Sequence, residues 1–137
     1  MFVPDLLYHG SRTANIKALE PRGFSKPTAG RNIPAVYASS IPAVGVAHGV
    51  GWTSEEGIDF YVRTTGIVCL IVPKMLAPRL YGQLSLYTIS SKGFEPTPTD
   101  YSGTGWFSLT PTLVLEEKVF GSALDAISEY NMDLRFF

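Results

Sequence analysis

Two short segments carry residue types that suit a binding or catalytic site. Tyr8-His9-Gly10-Ser11 closes an apolar run near the N-terminus, and Val36-Tyr37-Ala38-Ser39 follows later in the chain. An imidazole exchanges hydrogen bonds with hydroxyl groups and titrates near neutral pH. A glycine permits close approach to the backbone, and a tyrosine ring can stack on a second flat ring. Taken alone, each segment is also typical of a half-buried strand that ends in a turn.

The composition predicts one folded domain over residues 1–137. Its hydrophobic fraction of 45% and charged fraction of 17% suit a single sizeable core. A net charge of −1 argues against a protein that coats nucleic acid. The one cysteine, Cys69, excludes an internal disulfide and a cysteine-based zinc site, and with two histidines we expect no metal. The longest apolar run, residues 67–72, is far below the ~20 residues of a membrane span, so we expect a soluble, cytoplasmic protein without a membrane partner.

The elements that would position these residues are short strands and a few short helices, which is the pattern of an α+β domain. Strands are predicted at residues 6–9, 35–38, 60–63, 66–72, 81–89, 106–108 and 113–115. Helices are predicted at residues 13–19, 42–49 and 122–130, the second with Pro42 in its first turn and the third capped by Ser122. Loops rich in Gly, Pro, Ser and Thr are predicted at residues 21–34 and 94–105.

The two segments resemble the ADP-ribosyltransferase-like superfamily, in its histidine–tyrosine–glutamate branch of diphtheria-toxin-like transferases and poly-ADP-ribose polymerases. Members of that branch carry His-Gly on the first core strand and Tyr on a later strand. The resemblance covers eight residues, and the order of strands and helices agrees with it over most of the chain. It implies a compact, single-domain member built of two small packed β-sheets, with NAD in the cleft between them.

The resemblance also implies roles for individual residues. His9, with Ser11 close by, would bind ribose hydroxyls of NAD, and the backbone of Gly10 would pair with the carboxamide of nicotinamide. Tyr37 would stack on the nicotinamide ring. His48 lies eleven positions after Tyr37, where many relatives place a second ring-stacking tyrosine. A histidine that faces solvent at the end of a short helix is the alternative for His48.

Charged residues in the first predicted loop would meet the pyrophosphate of NAD. Arg31 is the leading candidate, and Arg22 and Lys26 are its neighbours in the same loop. Contacts of such side chains to phosphate oxygens are charge-assisted and strong. Ordinary solvation of a loop is the alternative for each of them.

The branch completes its site with a glutamate that stabilises the positive charge of an oxocarbenium-like ribose. Glu117 is the candidate, with Glu116 as the alternative. If the strand at residues 113–115 continues, alternation places Glu117 on the face of Leu113 and Leu115, and Glu116 on the other face. In a second alignment, Gly105 occupies the position of the acid, and Asp100 or no carboxylate would then serve.

The function implied is therefore that of a toxin-like mono-ADP-ribosyltransferase, with NAD as substrate and no metal. It would move ADP-ribose to a protein, a nucleic acid or a small molecule and release nicotinamide. Three alternatives stay open: an NAD-dependent RNA 2′-phosphotransferase, an inactive binding module on the same fold, and an unrelated β-rich protein. The net charge of −1 disfavours the first, because those enzymes rely on a basic surface.

Overall fold

The structure is a computed structural model that describes residues 3–21, 34–50, 56–97 and 104–137. In these ranges the chain has an α+β fold with two β-sheets and short helices, as the sequence predicts. The strands are β1 (Leu6–Ser11), β2 (Ala18–Leu19), β3 (Val36–Ser39), β4 (Asp59–Val62), β5 (Val68–Val72), β6 (Leu84–Ser90), β7 (Glu95–Pro96), β8 (Gly105–Ser108), β9 (Thr112–Phe120) and β10 (Asp133–Phe136). The helices are α1 (Pro42–Gly49), α2 (Ala123–Glu129) and a 3-10 helix at Lys74–Tyr81.

The larger sheet has seven strands in the order β2-β9-β6-β1-β3-β8-β7, and the smaller has the order β10-β5-β4. Strand β1 pairs antiparallel with β6 along its whole length, from Leu6 opposite Ser90 to Ser11 opposite Ser85. Its ladder with β3 consists of one pair, Tyr8 opposite Ser39. Beyond Tyr8 the two strands form no further ladder pair, and we call this unpaired stretch between them the β1–β3 seam.

The larger sheet carries a hydrophobic cluster on each face. One cluster joins α1 and α2 to β5 and β6, so it connects the two sheets through the helices. The other packs Leu7, Val36, Tyr87, Ile89 and Trp106 together on the opposite face. Because successive side chains of a strand alternate between faces, these clusters define a helix face and a far face for every strand of the larger sheet.

Helix α1 lies directly on β1 because glycines form the contact. A Cβ atom at Gly10 would lie 2.1 Å from the carbonyl oxygen of Gly45 and 2.9 Å from the Cα of Gly49. A Cβ at Gly49 would in turn lie 2.9 Å from the Cα of Gly10. The absence of side chains at these positions lets the helix and strand backbones touch.

Two of the predicted helices are confirmed and one is wrong. Helix α1 begins at Pro42, and α2 is capped by Ser122, whose Oγ accepts a hydrogen bond from the N–H of Asp125 at 3.1 Å. The helix predicted at residues 13–19 is absent: residues 13–17 are irregular and end in β2. Asn15 has φ 63°, a left-handed conformation that a right-handed helix excludes. In the described ranges, none of the helices is both long and apolar enough to span a membrane.

Replacing Gly10 by alanine is expected to destabilise the fold strongly. The added Cβ meets backbone atoms of α1, which cannot rotate away, so we expect a loss of about 3 kcal/mol in the free energy of unfolding. Urea denaturation of Gly10→Ala measures this loss. Gly121→Ala is the matched control, because its new Cβ would be at an ordinary 3.6 Å from Asp125. Equal stability of the two variants would show that α1 does not lie on β1 in this way.

Candidate functional site

Three adjacent strands of the larger sheet, β1, β6 and β9, place His9, Tyr87 and Glu117 in one row. His9 of β1 lies opposite Tyr87 of β6, and Tyr87 lies opposite Glu117 of β9. Residues directly opposite each other in a sheet share a face, so all three belong to the far face, with Tyr87 in its hydrophobic cluster. His9 and Glu117 are two strand spacings apart, which corresponds to ~10 Å. We call this set the far-face row.

The surroundings of His9 define its protonation state. Its Nδ1 lies 2.6 Å from the backbone carbonyl oxygen of Tyr37. A carbonyl oxygen only accepts, so Nδ1 carries the proton and Nε2 is the acceptor nitrogen of the ring. Burial lowers the pKa of His9 below its ordinary value, and the hydrogen bond to Tyr37 opposes this effect. The imidazole is therefore neutral at pH 7 and offers an acceptor at Nε2.

The carboxylate of Glu117 is oriented by three neighbours. Its Oε2 accepts hydrogen bonds from Ser85 Oγ at 2.8 Å and from the backbone N–H of Asn15 at 3.1 Å. Its Oε1 lies 3.3 Å from the nitrogen of the same N–H. The hydrogen bonds from Ser85, Asn15 and Tyr87 lower the pKa of Glu117, and the positive charge of Lys17 adds to them. Glu117 is thus ionised at neutral pH and held in place.

Tyr87 is the member of the row that the sequence did not identify. It is fully buried, and its hydroxyl donates to the carbonyl oxygen of Thr13 at 2.5 Å and accepts from the N–H of Ile16 at 3.2 Å. The same proton is shared with Oε2 of Glu117, which accepts from the hydroxyl at 3.2 Å in a three-centre hydrogen bond. Tyr87 therefore fixes the irregular segment of residues 13–16 over the row. Its position in the strand predicted at residues 81–89 was the one available signal.

A β-bulge decides which glutamate joins the row. Thr88 of β6 lies opposite Glu116, but the next residue, Ile89, lies opposite Val114, so Leu115 has no partner on β6. The extra residue reverses the alternation between the two ends of β9. The side chain of Glu117 therefore shares the face of Val114, and the prediction that it shares the face of Leu113 is wrong. Glu116 is exposed on the helix face.

Tyr37 and His48 lie on the helix face rather than in the far-face row. Val36 and Ala38 belong to the far-face cluster, so the Tyr37 side chain between them projects to the other side. His48 is in the last turn of α1, and its ring contacts Phe60 edge-on, with the centroids 5.1 Å apart. The ring of His9 and the ring of Tyr37 are thus on opposite faces, on either side of the β1–β3 seam.

Gly10 and Ser11 both have structural contacts. The side of Gly10 that a Cβ would occupy is filled by α1. Ser11 Oγ accepts a hydrogen bond from the backbone N–H of Thr13 at 3.0 Å, which begins the irregular segment. Close packing thus requires Gly10 independently of any ligand, while its backbone lies at the seam.

The arginine next to these residues was not predicted and holds several elements together. Arg12 donates to the backbone carbonyls of Val50, Gly82 and Gln83 at 2.9–3.2 Å, and to that of Arg79. It thereby joins the end of α1 to the 3-10 helix and to the start of β6. An open cavity of about 460 Å³ adjoins this guanidinium and Arg79, and His9 and Glu117 are not among its lining residues.

The remaining predicted residues lie outside the described ranges. These are Arg31, Arg22 and Lys26 of the first loop and Asp100 of the second. In the part of the chain that is described, no three His, Cys, Asp or Glu side chains are grouped so that they could hold a metal ion. No protein-family model matches the chain, and neither a curated protein nor a solved structure matches it.

Removing the hydroxyl of Tyr87 is expected to destabilise the protein. The Tyr87→Phe change leaves the Thr13 carbonyl and the Ile16 N–H without their partner, which costs about 1–3 kcal/mol. Thermal or urea denaturation measures the loss. Tyr81→Phe, at a tyrosine that is 69% exposed, is the control and should unfold like the wild type. A Tyr87→Phe variant that matches this control would contradict the proposed anchoring of residues 13–16.

The pKa of His9 predicts a loss of stability at mildly acidic pH. Unfolded His9 takes up a proton near its ordinary pKa of 6.5, whereas folded His9 does so at lower pH. The unfolded state then binds more protons as the pH falls through 6.5, so the free energy of unfolding decreases below that pH. In urea denaturation measured from neutral to acidic pH, the His9→Gln variant should lack this decrease in the free energy of unfolding. His48→Gln should keep it, and an identical decline in wild type and His9→Gln would refute the assignment.

Proposed function

We propose that the protein is a mono-ADP-ribosyltransferase with an ADP-ribosyltransferase-like fold and NAD as its substrate. The placement of His9 and Glu117 in one row of the far face is the observation that carries the proposal. Both groups accept hydrogen bonds, because His9 is neutral with Nε2 as acceptor and Glu117 is ionised. A ligand that contacts both must present donors, and the hydroxyls of a ribose meet this requirement.

The proposed reaction breaks the bond between the ribose C1 carbon and the nicotinamide nitrogen. The bonding electrons leave with nicotinamide, which departs as a neutral molecule, and the ribose becomes oxocarbenium-like. The carboxylate of Glu117 would accept a hydrogen bond from a ribose hydroxyl and stabilise this positive charge. A nucleophile of the acceptor then bonds to C1 and loses its proton. Cleavage of this kind requires an ionised carboxylate, which the hydrogen bonds of Glu117 favour.

The β1–β3 seam would let one ligand contact both faces of the sheet. In this proposal nicotinamide lies on the helix face against the ring of Tyr37, beside α1, whose Gly45 and Gly49 fill the same face of Gly10. The ribose reaches the far-face row through the seam, where His9 and Glu117 bind its hydroxyls. The seam exists because β1 and β3 share one ladder pair, and the hydrogen bond from His9 to the Tyr37 carbonyl spans it.

The test is the release of nicotinamide from NAD, with water as the slow acceptor. Glu117→Gln keeps the shape of the side chain and removes its charge, so we expect the rate to fall about 10²–10³-fold. Glu116→Gln is the matched control on the opposite face and should retain the wild-type rate. His9→Ala is expected to weaken NAD binding, which calorimetry on the same samples measures.

The outcomes separate the alternatives. Equal release by wild type and Glu117→Gln would contradict the proposed role of that carboxylate. NAD binding that depends on His9, without release in any variant or with any acceptor, would identify a binding module instead. The absence of both NAD binding and nicotinamide release would refute the proposal.

A further inference from the structure

Strand β9 has an outer edge that is largely uncovered by the described part of the chain. Strand β2 pairs with its first two residues only, Thr112 and Leu113, and the N–H of Val114 donates to the carbonyl oxygen of Lys17. From Leu115 to Phe120, no described strand pairs with the outer side of β9. Exposed strand edges carry backbone donors and acceptors that can pair with a further strand.

This edge combines apolar and charged side chains. Leu115 is 60% exposed and Val119 is 55% exposed. Counting back from Phe120, Val119 and Glu117 lie on the far face and Lys118 and Glu116 lie on the helix face, and Leu115, the unpaired residue of the bulge, comes directly before them. The apolar pair and the oppositely charged pair are each placed symmetrically about Glu117.

That symmetry matches the pairing of two identical strands. When a twofold axis perpendicular to the sheet relates two antiparallel strands, residues that lie opposite each other must be on the same face. The axis therefore lies at the level of one residue, which is opposite its own copy, and not between two residues. Centring on Glu117 places Leu115 opposite Val119 and Glu116 opposite Lys118 of the second copy. Centring on Glu116 or on Lys118 instead places an exposed charge opposite its own copy. Of these three registers, the one centred on Glu117 is therefore the one that places residues of opposite charge opposite each other.

We propose that two copies of this chain form a homodimer through antiparallel pairing of their β9 edges, centred on Glu117. The carboxylate of Glu117 is directed to Ser85 of β6, inside its own sheet, which keeps the two central charges away from the twofold axis. Lys118 already forms an ion pair with Glu129 of its own chain, and Glu116 of the second copy would add a second carboxylate. The contact is isologous, so it closes at two copies.

Charge exchange provides the sharpest test. Glu116→Lys places two lysine side chains opposite each other where positions 116 and 118 meet, and Lys118→Glu places two glutamate side chains there. Each variant alone should therefore be monomeric. In an equimolar mixture, both cross-strand pairs become oppositely charged, and the two variants should form a heterodimer. Sedimentation velocity over a concentration series, with wild type as reference, measures these states, and restoration on mixing also shows that both variants are folded.

A second comparison uses two exposed apolar residues of the same strand. Val119→Lys should convert the wild-type dimer to a monomer. Leu113→Lys should leave it intact, because Leu113 pairs with Ala18 of β2 and lies outside the proposed contact. A monomeric wild type at every concentration would overturn the proposal. A dimer that tolerates Val119→Lys, or charge variants that stay monomeric when mixed, would do the same.

Discussion

The close contact between helix α1 and strand β1 is the constraint on which the rest of the structure depends. Because Gly10 has no side chain, Gly45 and Gly49 bring the helix backbone against the strand, and one face of β1 is closed. The candidate side chain of β1, His9, is then left on the far face, next to β6. The same contact orients α1 so that His48 reaches Phe60 of the smaller sheet. One packing contact therefore assigns the candidate residues to two faces.

The far-face row depends on a second local feature, the bulge in β9. If Leu115 were paired in a regular ladder instead of forming a bulge, Glu116 and Glu117 would exchange faces relative to Val114, and Glu116 would lie on the far face. With the bulge, Glu117 meets Ser85, Tyr87 and the N–H of Asn15. The carboxylate and the segment of residues 13–16 thus share the same anchors. A change in either one is expected to affect the other.

The sequence predicted those features that local chemistry determines. Pro42 in a first turn and Ser122 as a cap identified α1 and α2, and the apolar runs identified most of the strands. The prediction of a helix at residues 13–19 was wrong because this segment is irregular in spite of its apolar spacing. Asn15 has a left-handed conformation, and the N–H of Ile16 donates a hydrogen bond to the hydroxyl of Tyr87. The predicted face of Glu117 relative to Leu113 was wrong because the alternation of apolar and polar residues in the sequence does not reveal a bulge. Tyr87 was missed because its importance arises from pairing between strands distant in sequence, which no single segment encodes.

Nuclear magnetic resonance tests directly whether His9 and Glu117 bind one and the same ligand. With ¹⁵N-labelled histidine and ¹³C-carboxyl-labelled glutamate, we expect a neutral His9 with its proton on Nδ1 at pH 7. Addition of NAD is then expected to shift Nε2 of His9 and the carboxyl carbon of Glu117 together, with one dissociation constant. Signals of His9 and Glu117 that stay unchanged at saturating NAD, or that respond with different affinities, would show that the two residues do not bind one ligand together.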